Sequence, residues 1–491
     1  MEAIRSHDLN PHDLEPRVRA RAIVAAGVLV GGFLSAAEAT VVATAAPTIV
    51  QQLGGLSGYH WLFASYAFAL TCSTLVWGKA ADVYARRALY ALAVCTFLAG
   101  SLLCATAAST PWLLAARVMQ GIGGGGMQAV GTTLLGTLYA DNERGRIYSY
   151  NALVFGTASI AGPLIGGYVV EWASWRWLFW GNVPLGLLVL LIVGLDARQR
   201  TAGARSMDAT GAVLMSLAIL ASLISLDATA SPDGMGIGGL PTAAWYGIAL
   251  CGWSAFLWVE RRAKEPIVPL WLLGHRQVAP VTACGFLAGA SMGGVLAFTP
   301  LLVQQVMGQS VLAGGRALTP LLLAWILSAS VAGRLSQRYG YVGFVRGGLI
   351  VVTLALGGLS TVDGATPTVM LYLILAAVGV GIGASMLGLL LAMQAAVNQD
   401  SLGVATALSQ FSRNMGGPVG IAAMGIVMTW SLPAGAEGSP IAMAGPLQRA
   451  FLLSAVVAAG ASLAAFRVRS GDPVSDVVSA REVPQQAQAG S

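Results

Sequence analysis

The chain has 491 residues, of which 56% are hydrophobic and only 10% charged, and it carries a net charge of +6. Soluble domains carry roughly 25% charged residues, so a water-soluble globular protein is excluded, and the mean hydropathy of +0.72 points to a polytopic membrane protein. The basic residues are scattered in small groups over short loops, which makes the charge a topology signal and not a nucleic-acid footprint.

Residues 1–21 are polar and hold Arg5, Arg17, Arg19 and Arg21. They contain no apolar stretch of a cleavable leader, so the first span is expected to direct insertion itself. Apolar runs of spanning length, about 20 residues, follow at 22–46, 60–79, 88–107, 111–137, 148–169 and 177–195. Two more lie at 210–228 and 243–260, and six at 279–303, 314–333, 346–361, 367–396, 403–430 and 446–466. The expectation is an all-α integral membrane protein with 14 transmembrane helices. Residues 468–491, rich in Pro, Gln, Ala and Ser, predict a disordered cytoplasmic tail.

Both terminal segments and the loops after every second span through the tenth hold 22 Lys and Arg residues, whereas the opposite loops hold 3, namely Arg176, Arg316 and Arg449. Basic residues accumulate on the cytoplasmic side. Both termini are therefore placed in the cytoplasm, and the chain is expected to be multi-pass in a bacterial cytoplasmic (inner) membrane. All five cysteines fall inside spans, so neither an extracellular disulfide framework nor a Cys/His metal spacing is expected.

The sequence echoes itself. Gly78, Asp82, Tyr84 and Ala85 correspond, 255 positions on, to Gly333, Gln337, Tyr339 and Gly340, and the same offset carries Gly162 and Pro163 onto Gly417 and Pro418. An offset of 253 carries Pro47, Gln51 and Gln52 onto Pro300, Gln304 and Gln305. These matches predict two pseudo-repeated six-helix bundles, at 22–195 and 276–467, with an inserted two-helix hairpin and its flanking loops at 196–275. Secondary transporters are built from such repeats, with the substrate site at their interface. The hairpin reads either as a lipid-facing spacer or as part of the substrate path.

Four stretches add a resemblance. The loop GKAADVYARR (78–87) is similar to a G-x-L-A-D-R-x-G-R-R loop between spans 2 and 3. Leu114 to Gly121 resembles a fourth-span motif with a buried Arg, here Arg117. Ala158 to Gly167 resembles the fifth-span antiporter motif, and Glu38 to Pro47 resembles a first-span motif that usually begins with Asp. Taken in order over Arg21–Arg467, they make the chain similar to the major facilitator superfamily, in its fourteen-span drug:proton antiporter family. Val83 and Ala85 depart from the loop motif, and Ala158 replaces a Gly. The resemblance implies alternating access, proton antiport and export of amphiphilic, often cationic compounds. It also implies a cytoplasmic gate formed by Gly78, Asp82, Arg86 and Arg87. The implied partners are a small amphiphilic substrate, protons and the lipid bilayer, with no nucleic acid, no cofactor beyond the proton gradient, and a monomeric state.

Glu38 is the only acidic residue well inside a span. At 1.5 Å per residue it lies roughly 12 Å inward from the end of span 1 near Ala46, and Arg117 lies roughly 9 Å inward from the start of span 4 near Pro111. The matched depths allow the two to pair. A carboxylate inside the membrane is costly and usually functional, and desolvation that disfavours its charged form suits it to exchange a proton. The competing reading is a static ion pair joining spans 1 and 4. Gln120, one turn on from Arg117, extends the polar set.

Gly162, Pro163, Gly166 and Gly167 predict a kinked, closely packed fifth span, either a dry seam between the halves or ordinary packing. The glycine run at 121–126 lacks a following Lys-Ser/Thr and is not a phosphate loop. Trp175, Trp177 and Trp180 read as interfacial anchors. Trp61, Tyr66, Gln120, Phe155 and Phe298, with Gln394, Gln410 and Asn414, are candidates to line a substrate cavity. Arg413 fits a buried and an interfacial position equally.

The resulting expectation is a proton-coupled exporter, and not an enzyme. The alternatives are an exporter dedicated to one endogenous molecule (a lipid, siderophore or antibiotic) and a proton-coupled uptake permease. A membrane-embedded enzyme finds no paired carboxylates, His cluster or nucleophile motif to support it.

Overall fold

The structure is a computed structural model that describes residues 11–53, 59–139, 141–194, 209–230, 239–263, 270–397, 402–432 and 440–469. Residues 1–10, the loop 231–238 and 470–491 of the expected tail lie outside the described residues, as do the side chains of Asp82 and Gln337.

The first half comprises α1 (Pro11–Leu53), α2 (Tyr59–Val83), α3 (Arg86–Ala105), α4 (Thr110–Leu138), α5 (Asp141–Trp172), α6 (Arg176–Trp180) and α7 (Asn182–Gly194). A hairpin follows, α8 (Ala209–Ala230) and α9 (Thr242–Glu260), then the short α10 (Leu270–Leu273). The second half comprises α11 (Val278–Leu301), running on into a π-helical turn at Leu302–Val306, then α12 (Val311–Tyr339), α13 (Val342–Leu359), α14 (Thr368–Ala395), α15 (Leu402–Ser431) and α16 (Pro440–Ala465).

Local chemistry sets several boundaries. Ser310 accepts a hydrogen bond from Ala313 N at 3.2 Å and caps the start of α12. Gly340, at φ 76°, ends that helix in a conformation that an L side chain resists. The sixth expected span divides at Gly181 into α6 and α7. Pro184, in the first turn of α7, has no N–H with which to continue the ladder.

The fourteen apolar runs fall on α1–α5, the α6–α7 pair, α8, α9 and α11–α16. Among the described residues, eleven helices are long and apolar enough to cross a membrane. The three outside that set have identifiable reasons. In α4 and α15, Arg117, Gln120 and a glycine run, and Gln410, Arg413 and Asn414, dilute the apolar character. In α8 the apolar stretch is only Val213–Ser222.

The two halves repeat one packing pattern. α1 packs on α5, and α4 on both α2 and α3; likewise α11 packs on α15, and α14 on both α12 and α13. α7 packs on α1 and α3 as α16 packs on α11 and α13. The halves meet where α5 crosses α12 and α2 crosses α15, and α8 leans on the second of these crossings. Hydrogen bonds tie the halves at the end of the bundle away from the termini. Gln304 Nε2 donates to Thr44 O at 3.0 Å, Leu312 N to Glu171 Oε2 at 3.2 Å, and Tyr59 Oη to Ala297 O at 2.6 Å.

Candidate functional site

Glu38 on α1 and Arg117 on α4 form a direct ion pair. Arg117 Nη1 donates to Glu38 Oε1 at 2.6 Å, and the two residues are 1% and 2% exposed. The same Nη1 reaches Gln120 Oε1 at 2.7 Å, and Arg117 Nε donates to Leu62 O at 3.3 Å. The guanidinium also lies 4.3 Å over the Tyr66 ring, a cation–π contact that strengthens where water is excluded. Two buried charges are tolerated at this depth because each meets the other and further hydrogen bonds.

Sequence reasoning missed the other side of the carboxylate. Asn182, the first residue of α7, donates from Nδ2 to Glu38 Oε2 and to Ser101 Oγ, both at 2.9 Å. Gln120 Nε2 reaches the same Ser101 hydroxyl at 3.3 Å. The available signal was a lone Asn in an apolar span, placed at its Gly181 break. A second branch leads inward: Tyr66 Oη donates to Ser35 O at 3.0 Å, and Gln128 Nε2 reaches Ser35 Oγ at 3.4 Å.

A central cavity of about 350 Å³ lies between the halves, near the lower end of ordinary ligand pockets. Of the candidate lining residues, Tyr66, Phe155, Gln410 and Asn414 are on its wall, and so are Arg117 and Arg413. Glu38 stands behind Arg117 and is not. Gln120 belongs to the ion-pair network. Phe298 is fully buried against the Tyr59 ring at 5.3 Å, Trp61 is buried beside His60, and Gln394 is half-buried on α14, all three away from the cavity wall.

The fifth-span motif serves two contacts. Gly162 faces Thr40, and Gly166 faces Thr44 and Val41, so these glycines let α5 close on α1. Across the halves, a side chain on Gly167 would come 2.8 Å from Leu312 Cα, and the Pro163 carbonyl abuts Gly315 of α12. The glycine run of α4 does the same for α2 and α3, with Gly121 against Tyr66 O and Gly123 against the Phe97 backbone. At the α2–α3 loop, Arg86 Nε donates to Ala81 O at 3.1 Å, Arg87 is half-buried, and open space lies beside Gly78. Trp175 is packed in protein and not exposed as an anchor. It is buried, with Nε1 donating to Gln52 Oε1 at 2.9 Å, whereas Trp177 and Trp180 are exposed.

The arrangement can link protonation to the cavity. A proton on Glu38 would cancel its charge and leave Arg117 as an uncompensated cation at the cavity wall.

The sequence profile of the Major Facilitator Superfamily matches residues 28–421. The chain belongs to the Major Facilitator Superfamily. It is a multi-pass membrane transport protein rather than an enzyme. Among curated relatives of this facilitator, the multidrug transporter protein MdtP of Bacillus subtilis is 33% identical over 413 residues, spanning 83% of this chain and 75% of the relative. The tetracenomycin C resistance and export protein of Streptomyces glaucescens is 30% identical over 405 residues, spanning 82% and 74%. Among solved structures, a bacterial homolog of the human lysosomal transporter Spinster, inward-facing and unoccupied, matches with a TM-score of 0.65 at 15% identity over 92% of this chain and 97% of that one. An auto-inhibited POT family peptide transporter matches with a TM-score of 0.66 at 13% identity over 92% and 98%. At such identities the two structures speak for the fold alone.

Proposed function

We propose that this facilitator exports small amphiphilic compounds from the cytoplasm by alternating access, in exchange for protons bound at Glu38. One observation carries the proton part: Arg117 holds Glu38 at 2.6 Å and also lines the central cavity. A ligand at the wall and a proton at Glu38 then act on the same guanidinium, which couples the two sites energetically. The export direction is supported by the relatives, one named for multidrug transport and one for resistance and export. The ties Thr44–Gln304, Tyr59–Ala297 and Glu171–Leu312 lie at the far end, which the basic-residue count places outside the cell. They fit a conformation that loads from the cytoplasm. Protonation of Glu38 from outside, in the other conformation, would return the carrier.

The cavity wall favours an amphiphile because aromatic and thioether side chains, Phe63, Phe155, Trp325, Met292 and Met386, make up much of it. Everted membrane vesicles that contain the protein, given an amphiphilic dye in the medium and energised by respiration, test the reading. Dye accumulation that collapses on addition of a protonophore is expected; accumulation indifferent to the protonophore would contradict proton coupling. A transporter dedicated to one compound is the second reading, favoured by the relative named for a single compound, tetracenomycin C.

A further inference from the structure

We infer that Arg413 is the recognition point for an acidic group on the substrate, so the exported amphiphile is an anion; this rests on the export reading above and narrows its substrate. The expectation of a cationic compound needs a carboxylate facing the cavity. Among the residues that line it none is acidic. Glu38, the nearest candidate, has Oε1 on Arg117 and Oε2 on Asn182, and stands off the wall.

Arg413 has the opposite situation. It lines the cavity, and no hydrogen bond or ion pair among the described residues engages its guanidinium. It lies 11 residues into α15, counted from Leu402, about 16 Å along the helix axis. That is deeper than a long side chain reaches back to a helix end. A cation at such depth normally has a partner or faces water that serves a ligand. Because Arg117 is neutralised by Glu38, Arg413 leaves the cavity with one uncompensated positive charge. In a low-dielectric enclosure that charge attracts anions and repels cations.

The surroundings fit a bound acid. Gln410, Asn414 and Gly417 share the cavity-facing stripe of α15 with Arg413, so two amides flank the guanidinium. A planar guanidinium with parallel N–H donors suits a carboxylate or a phosphate in bidentate contact. The helix is braced at this level: Ser412 Oγ donates to Thr282 O at 2.7 Å, and Gly289 of α11 abuts the Arg413 carbonyl. The opposite wall supplies Phe63, Tyr66 and Phe155 for an apolar body. The repeat gives the site a direction. The first-half position equivalent to Arg413, at the 255-residue offset, is Ala158, which is buried. The acid therefore sits toward the second half and the apolar body toward the first.

The test is equilibrium binding to the purified full chain in phosphatidylcholine nanodiscs, with no proton gradient. The probes are dansylaminoundecanoic acid, its methyl ester and the matching dansyl alkyl amine. The acid is expected to bind at least about tenfold tighter than the ester, with the amine weakest. Arg413→Gln should bring acid and ester to equal affinity, and Arg413→Lys should retain part of the preference, because Lys keeps the charge without the fork. An unchanged acid-to-ester ratio in Arg413→Gln, or tightest binding of the amine by the wild type, overturns the proposal. If Arg413→Gln fails to fold, Asn414→Leu with Gln410→Leu provides the second reading: a weaker acid with the ester unchanged supports the site, and parallel losses contradict it. Competition against the acid by added phosphatidylglycerol would assign the site to a lipid headgroup and overturn the assignment to a free amphiphile. Vesicle export of the same probes is read separately. Acid bound but never exported refutes the export reading while the anion site stands, and amine exported in preference to acid refutes the anion site while export stands.

Discussion

Arg117 stands between Glu38 and the central cavity: its Nη1 lies 2.6 Å from Glu38 Oε1, and it lines the cavity that Glu38 does not reach. A carboxylate placed this way is sheltered from the substrate yet senses it through the guanidinium.

Removing one member of the pair should cost more than removing both. Arg117→Gln leaves a buried carboxylate without its main partner, a loss on the order of 3–5 kcal/mol. Glu38→Gln combined with Arg117→Gln leaves two neutral amides able to bond each other, and should recover much of that loss. Thermal unfolding of the purified variants reads this directly. A single Arg117→Gln variant as stable as the wild type would show that the pair is not held in the folded state.

Asn182 is expected to matter for coupling rather than for substrate binding, because it touches Glu38 and Ser101 but not the cavity wall. Asn182→Leu leaves Glu38 Oε2 and Ser101 Oγ without that donor, an effect of about 1–3 kcal/mol for buried groups. Proton-driven efflux should fall by roughly tenfold or more with dye affinity in the absence of a gradient unchanged. A weakened affinity with normal gradient response would place Asn182 in the binding site instead.

The tie between Gln304 and Thr44, 3.0 Å from Nε2 to the carbonyl, must open if the halves alternate. A pair of cysteines at these two positions, bridged by a short bismaleimide, should reduce transport to background while each single-cysteine variant remains active. Undiminished transport by the bridged protein would mean that this end does not open during the cycle.

Glycines that look alike in sequence should behave differently. A side chain on Gly123 meets the Phe97 backbone, so Gly123→Leu should abolish folded protein in detergent by forcing α3 and α4 apart. Gly78 has open space beside it, so Gly78→Ala should fold normally. Reduced transport by that folded variant, read in the vesicle assay, would reveal a conformation in which the α2–α3 loop packs closely. Normal transport would remove Gly78 from the gate.

The fold was legible because membrane insertion restricts what a sequence can say: long apolar runs can only be helices, and the 255-residue echo doubles the pattern. Matching depths marked Glu38 and Arg117 as able to pair, and the contact itself came only with the structure. What stayed hidden depends on helix rotation. Phe155 and Phe298 read alike along the chain, yet one lines the cavity and the other packs on Tyr59. Asn182 was hidden because an uncharged polar residue in a span carries little signal until its partner on another helix is placed. Trp175, Trp177 and Trp180 all fall at the outer boundary in sequence, yet Trp175 packs in protein and bonds to Gln52 while the other two are exposed. Arg413 could be placed at the cavity only once α11 and α15 were seen in contact through Gly289.

The most direct test of Glu38 as the proton carrier is gradient-driven dye transport by purified protein in liposomes, comparing the wild type with Glu38→Gln. The wild type should accelerate sharply when a pH gradient is imposed. Glu38→Gln, shown to be folded by its melting profile, should exchange dye at a rate that no gradient changes. A Glu38→Gln protein that follows the gradient as the wild type does would contradict the account at its centre.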